Sequence, residues 1–154
     1  MQISDIFLAL GEDAFAQLIR SMSIGRLKTY QLYERLKARM RLQKLNTESL
    51  RKGTPRFWQR IHDRDDEFAT EIGQAILVSH LDMIKAVLDF LEIPHEEGFF
   101  AKDFDASTYL KEGWEQRVYD HFHGTYPDAL VLFYINHLAW EVLKTEQVFQ
   151  PAQV

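Results

Sequence analysis

The feature that most constrains the fold is a run of 12 residues, 129–140, that contains no formal charge, no glycine and no proline. A helix over this run is apolar on every side, and such a helix is stable only where other elements cover it. At 1.5 Å per residue it spans about 18 Å, well short of the ~30 Å hydrocarbon core of a membrane. The run therefore predicts an interior helix, residues 127–143, at the centre of a helical bundle.

A second helix, residues 66–92, has a similar character. Its polar residues fall within one strip about 80° wide when they are placed at 100° per residue. These residues are Glu67, Glu71, Gln74, Asp82, Lys85 and Asp89. Outside this strip, every residue from 75 to 91 is apolar except Ser79 and His80. The pattern predicts one continuous central helix that is exposed only along the strip, with Ile76 and Met83 buried.

The rest of the chain also favours helices. Apolar periodicity predicts long helices over residues 23–44 and 106–122, and Asn46 is placed to cap a short helix that Gly53 ends. Thr54 and Pro55 are typical of the start of another helix. The only candidate strand is 99–104. We therefore predict an all-α, single-domain bundle of about six to eight helices, residues 1–143, with two central apolar helices and a C-terminal tail, 144–154, that frays.

Composition and missing motifs exclude several classes of function. The chain has no cysteine, which excludes disulfides, thiolate metal sites and a cysteine nucleophile. It also lacks the glycine-rich phosphate loops, the Gly-x-Ser-x-Gly nucleophile motif, the His-Glu-x-x-His zinc motif and a calcium loop. We therefore expect no cofactor and favour a non-enzymatic protein. Asp5, Glu12 and Asp13 surround the first apolar segment, unlike a secretory signal, so we expect a cytoplasmic location without membrane contact.

Positive and negative charges are distributed unevenly. Residues 20–60 hold 12 Lys or Arg and 2 acidic residues, a net charge of +10. The rest holds 6 Lys or Arg and 21 Asp or Glu, a net charge of −15, and the two parts sum to the −5 of the whole chain. Such a basic segment is typical of a surface that contacts an acidic partner or a phosphate backbone.

Two interpretations of the basic segment remain open. In the predicted helix 23–44 the basic residues flank both sides of an apolar stripe formed by Leu32, Leu36 and Met40. Their stems can simply cover apolar surface while their charges pair with the acidic remainder. Alternatively they bind an acidic protein, nucleic acid or another copy of the chain, with aromatic residues interleaved for stacking. The candidate partner-binding residues are Arg26, Lys28, Arg35, Lys37, Arg39, Arg41 and Lys44.

Buried histidines support an alternative function. His80 lies on the apolar face of the predicted helix 66–92, and His137 lies in the charge-free run, one turn before Glu141. A His and a Glu at i and i+4 can bind a metal or orient a catalytic base. The alternative is therefore a small helical metal-binding protein or enzyme centred on His80, His137 and Glu141. If the histidines are only structural, each is neutral and hydrogen-bonded within the core.

Overall fold

A computed structural model of the chain describes residues 1–40 and 44–152. Within these residues all regular structure is helical, which confirms the all-α prediction. The described part of the chain contains nine α-helices: α1 Ile3–Leu10, α2 Glu12–Arg20, α3 Ile24–Thr29, α4 Tyr33–Met40, α5 Thr47–His62, α6 Asp66–Ser79, α7 Leu81–Phe90, α8 Trp114–Phe122 and α9 Asp128–Leu143. The candidate strand 99–104 is wrong, because this region shows only an isolated bridge between Glu96 and Phe99.

The chain divides into two compact units. The N-terminal unit, Gln2–His80, contains α1 to α6, and the C-terminal unit contains α7 to α9 together with Met1. The proposed single domain, residues 1–143, stays a prediction. None of the helices in the described part of the chain is both long enough and apolar enough to cross a membrane.

The core of the N-terminal unit forms where α1, α2, α5 and α6 pack together. Aromatic rings fill its centre: Phe7 meets Phe15 edge-on with ring centroids 5.1 Å apart, and Phe57 lies 5.7 Å from Phe68. Pairs of this kind stabilise a core beyond the area that they bury. The helix α4 packs against α3 and α6, which brings the basic segment close to the acidic start of α6.

The C-terminal unit is built around α9, which packs against α8. Nine residues of α9 are buried, in agreement with the prediction of an interior helix over 127–143. The segment after α9 lies along the same helices. The backbone N–H of Phe149 donates to Asn136 Oδ1 at 2.6 Å, and that of Ala152 donates to Gln116 Oε1 at 2.9 Å. Whether residues 144–154 fray is a dynamic property that stays a prediction.

The predicted continuous helix 66–92 is wrong, because α6 ends at Ser79 and α7 begins at Leu81. His80 leaves the helical region, with φ −130° and ψ 39°. The Ser79 hydroxyl donates to Ala75 O at 2.8 Å and accepts from the backbone N–H of Ser23 at 2.9 Å. A serine bonded back to its own helix bends or weakens that helix. Ile76 and Met83 are both buried, as the sequence predicts.

The predicted helix 23–44 is also divided. The helix α3 ends in a Schellman motif: Leu32 N–H donates to Leu27 O, and Gln31 N–H donates to Lys28 O. Gln31 occupies the left-handed position, φ 62°, that glycine usually takes, which hid the helix end from a search for glycines. These divisions raise the number of helices above the predicted six to eight. The end of the predicted helix, residues 41–43, lies outside the described residues.

Two further predicted boundaries are wrong. The helix α5 runs through Gly53 and Pro55 without a break. Gly53 is needed for packing, since a Cβ there would lie only 2.4 Å from Cζ of Phe57. The predicted helix 106–122 begins at Trp114, because residues Ser107–Tyr109 form a 3-10 turn and Gly113 takes a left-handed conformation, φ 81°.

Candidate anion-binding groove

The strongest candidate site is a groove between α4 and α5 in the N-terminal unit. Its volume is about 500 Å³. The described residues that line it are three arginines and three apolar residues, with no carboxylate among them: Ala38, Arg39, Met40, Arg56, Phe57 and Arg60. A concave surface with several guanidinium groups beside apolar side chains is suited to an anionic ligand that also carries apolar groups.

The helix α5 places two of these arginines on one face. Arg56 and Arg60 are four residues apart and therefore lie one above the other, while Phe57 points into the core. Arg56 is exposed and makes no ion pair with any described residue. It is the cation of the groove that is most available to a ligand.

Arg60 is held rigidly. Its Nε and Nη2 donate to Asp65 Oδ2 at 3.1 and 2.5 Å, and its Nη1 donates to Arg39 O at 2.8 Å. The guanidinium also lies 4.0 Å from the ring centroid of Phe68. Burial acts to raise the pKa of Asp65, but the hydrogen bonds from Arg60 and from the backbone N–H of Phe68 outweigh it and lower that pKa. Asp65 therefore remains ionised and fixes Arg60 at neutral pH.

Arg39 connects the groove to buried charge on α6. Its Nε lies 3.3 Å from Glu71 Oε2, and its Nη2 contacts Glu67 Oε1. Arg35 reaches the other oxygen of Glu71 at 3.5 Å. Glu71 is only 6% exposed, so its predicted place on an exposed strip is wrong. The arginines of α4 cover this part of α6. Arg39 Nη2 and Glu71 Oε2 nevertheless make no hydrogen bond.

The structure places the described members of the predicted partner-binding set in different surroundings, and their role in binding stays a prediction. Among these described residues, only Arg39 lines the groove. Lys37 Nζ lies 4.0 Å from Glu34 Oε2. Lys28 Nζ lies 5.1 Å from the ring centroid of Tyr33, and both residues line a separate open cavity of about 660 Å³. Arg26 is half-buried in α3, and Lys44 is exposed before α5. Arg41 lies outside the described residues.

The sequence did not single out Arg56 and Arg60, although their i, i+4 spacing was available as a signal. The predicted helix break at Gly53 hid their relation to the rest of α5. Their position near Arg39 depends on how α4 and α5 each pack against α6, which no local pattern reveals.

His80 has a structural environment in the N-terminal unit. The Ser21 hydroxyl donates to Leu18 O at 2.7 Å, so at 2.8 Å it accepts a hydrogen bond from His80 Nε2. Burial lowers the pKa of His80, which keeps the ring neutral at pH 7. A neutral ring that donates to Ser21 is what we expect of a histidine that only stabilises the core.

His137 and Glu141 lie together in the C-terminal unit, with His137 Nδ1 3.5 Å from Glu141 Oε2. Burial lowers the pKa of His137 to about 4, and burial raises the pKa of Glu141. His137 Nδ1 makes no hydrogen bond. Among residues 1–40 and 44–152 there is no group of three or more His, Asp or Glu placed to hold a metal ion. The metal-binding alternative, which combined this pair with His80 of the other unit, stays a prediction.

Comparison with known proteins identifies no family: no family model, no curated protein and no solved structure matches this chain.

Proposed function

We propose that this protein is a non-enzymatic interaction module whose α4–α5 groove binds an acidic segment of another protein. The observation that carries the proposal is the lining of the groove, in which Arg39, Arg56 and Arg60 surround apolar surface from Met40 and Phe57. A guanidinium binds a carboxylate through two parallel hydrogen bonds, and the apolar wall can cover a neighbouring side chain of the ligand.

Rigid arginines support this function. Arg60 is fixed by Asp65 and Phe68, and Arg39 is fixed by Glu71. An anion that binds them does not have to order these side chains, which otherwise costs about 0.5–1.5 kcal/mol for each one immobilised. The groove is thus partly organised before the ligand arrives.

The charge around the groove favours a carboxylate ligand over nucleic acid. Among the described residues that line the groove or pair with its lining, four are cations, Arg35, Arg39, Arg56 and Arg60, and three are anions, Asp65, Glu67 and Glu71, so these residues carry a net charge of 4 − 3 = +1. Duplex DNA carries one negative charge for about every 1.7 Å of its axis and is bound through many phosphate contacts. One net positive charge matches a single carboxylate far better than a row of phosphates.

The cytoplasmic location expected from the sequence remains part of the proposal. The absence of cysteine supports it, since a chain without disulfides does not need an oxidising compartment.

A second copy of the chain is one source of the acidic segment that can be tested directly. A molar mass that rises with protein concentration would identify it.

Fluorescence anisotropy with a labelled peptide of alternating Glu and Leu tests the proposal. We expect binding at low salt that weakens as salt is added, because the ion pairs are screened. Arg56→Ala should weaken binding by about three- to tenfold, the loss of one charged contact. Arg51→Ala is the matched control: Arg51 is also exposed on α5 but does not line the groove.

Three results would contradict the proposal. The first is no binding of the acidic peptide at low salt. The second is an equal loss of affinity in Arg56→Ala and Arg51→Ala, which would mean that general charge and not the groove attracts the peptide. The third is tighter binding of a single-stranded DNA of the same charge, which would indicate a nucleic-acid partner.

A further inference from the structure

Glu67 differs from the other carboxylates near the groove because it is exposed and contacts a lining residue. It is 75% exposed, yet its Oε1 contacts Nη2 of Arg39, a residue that lines the groove. That Nη2 is itself buried, so the carboxylate of Glu67 covers this edge of the guanidinium. One edge of a residue that lines the groove is therefore in contact with an exposed carboxylate.

The other two carboxylates are structural. Glu71 is buried beneath Arg39, and Asp65 is held by two hydrogen bonds from Arg60 and one from the backbone N–H of Phe68. Neither can leave without a loss of packing or of hydrogen bonds. Glu67 can leave at little cost, since an exposed ion pair contributes little to stability and its carboxylate is readily solvated.

We infer that Glu67 is a built-in competitor for the groove: its carboxylate occupies the edge of Arg39 that the ligand carboxylate takes, and the ligand displaces it. This inference rests on the proposed function, since it concerns the same groove. Glu67 is then an affinity-determining residue that acts through Arg39 and does not touch the bound ligand.

The inference predicts that removal of the Glu67 carboxylate raises the affinity for the ligand by more than its charge alone explains. Removing a carboxylate from most positions near a binding site alters affinity only through general charge, whereas removing a competitor also frees the donors of Arg39. Neutralising Glu67 therefore raises the net charge of the described residues around the groove from +1 to +2 and weakens the contact that covers the guanidinium edge. Glu67 is 75% exposed and Arg39 keeps its ion pair with Glu71, so the fold should be little affected.

The experiment measures the affinity of the labelled Glu–Leu peptide for Glu67→Gln and for a matched control, Glu48→Gln. Glu48 is 73% exposed and pairs with Lys52 at 2.9 Å, so its neutralisation removes the same charge and a similar surface ion pair. Lys52 does not line the groove. We expect Glu67→Gln to bind about three- to tenfold more tightly than the unaltered protein, a gain that shrinks at high salt, with little gain for Glu48→Gln.

The outcomes separate this inference from the proposed function. If the unaltered protein binds the peptide but Glu67→Gln gains no more than Glu48→Gln, the competitor role is wrong and the proposed function stands. If no variant binds the peptide at low salt, the proposed function fails and this inference with it. An unchanged denaturant midpoint for Glu67→Gln confirms that its affinity is measured on an intact fold.

Discussion

Two helices, α6 and α9, each bury a polar side chain, Glu71 or Asn136, and the partners of these two side chains are of different kinds. Glu71 of α6 is 6% exposed and is approached by Arg35 and Arg39 of α4. Asn136 of α9 is 1% exposed and bonds to backbone: its Nδ2 donates to Leu132 O at 2.9 Å and to Phe149 O at 3.2 Å, and its Oδ1 accepts from Phe149 N–H. Glu71 of α6 is paired with charged side chains of α4, whereas Asn136 of α9 is hydrogen-bonded to main-chain groups of its own unit.

The difference shows why the candidate site lies beside α6. Both amide hydrogens of Asn136 are used, so the cluster around it has little left for a ligand. A buried carboxylate instead needs positively charged partners, and an arginine offers five donors in a fork that one carboxylate cannot fill. Arg39, which pairs with Glu71, is also one of the described residues that line the groove. A buried charge has thus produced a surface that can bind an anion, whereas a buried amide has produced only a stable contact.

Breaking the α6 cluster should have the largest effect. Glu71→Ala leaves Arg39 without its buried partner, and removing one member of a buried ion pair costs about 3–5 kcal/mol. We expect a loss near the lower end, about 3 kcal/mol, because Arg39 is 28% exposed and keeps its contact with Glu67. The check is the midpoint of urea unfolding with an unchanged slope.

A double variant controls for the charge itself. Arg39→Met combined with Glu71→Leu replaces the pair by apolar side chains of similar size, and such replacements are often neutral or stabilising. It should recover most of the stability that Glu71→Ala loses. If Glu71→Ala lowers the unfolding free energy by less than about 1 kcal/mol, the ion pairs of Glu71 do not hold α4 against α6.

Acidification should have the next largest effect, through the neighbour of Asn136. Burial lowers the pKa of His137 to about 4 in the folded state, against about 6.5 when unfolded. Between these values the unfolded chain binds more protons, so stability rises with pH and falls on acidification. We expect a loss of about 2 kcal/mol between pH 7 and pH 5 from this residue.

The comparison variant for this pH effect is His137→Gln, which should have a flatter dependence of unfolding free energy on pH. Glu141, whose pKa is raised by burial, acts in the opposite direction, so both proteins are best compared in a Glu141→Gln background. The lowered pKa of His80 gives a residual slope of the same sign in both. Identical pH profiles would show that His137 is not kept neutral by burial.

Removing the hydrogen bonds between Asn136 of α9 and Phe149 should have a smaller effect on stability. Asn136→Ala removes the partners of Phe149 N–H and O, and because Phe149 is half-buried, water replaces part of what is lost. We expect a cost of about 1–2 kcal/mol. Hydrogen exchange should show faster exchange at 145–152, while Gln116→Ala should affect only the end of this segment. Rapid exchange of 145–152 in the unaltered protein would instead support the predicted frayed tail.

The sequence predicts well what depends on one element and poorly what depends on two. The charge-free run 129–140 predicts α9 closely, because a helix that is free of charge and almost entirely apolar has to be covered by other elements. Glu71 shares the i, i+4 spacing of an exposed strip, and its burial depends on arginines more than thirty residues earlier in the chain. The end of α3 at Gln31 was missed because a Schellman motif usually contains glycine. Gly53 was taken as a helix end because glycine is common there, although it lies inside α5 beside the ring of Phe57 one turn later.

The smallest effect on stability is expected at Arg56, and it sharpens the contrast between the cations of the groove. Arg60 makes three hydrogen bonds and lies over Phe68, whereas Arg56 is exposed and pairs with no described residue. Arg56→Ala should therefore change the unfolding free energy by no more than about 0.5 kcal/mol, and Arg60→Ala should lower it by about 1–3 kcal/mol. Urea unfolding of both variants measures the difference. A destabilised Arg56→Ala protein would mean that this arginine belongs to the structural network, and the groove would then have no uncommitted cation to offer a ligand.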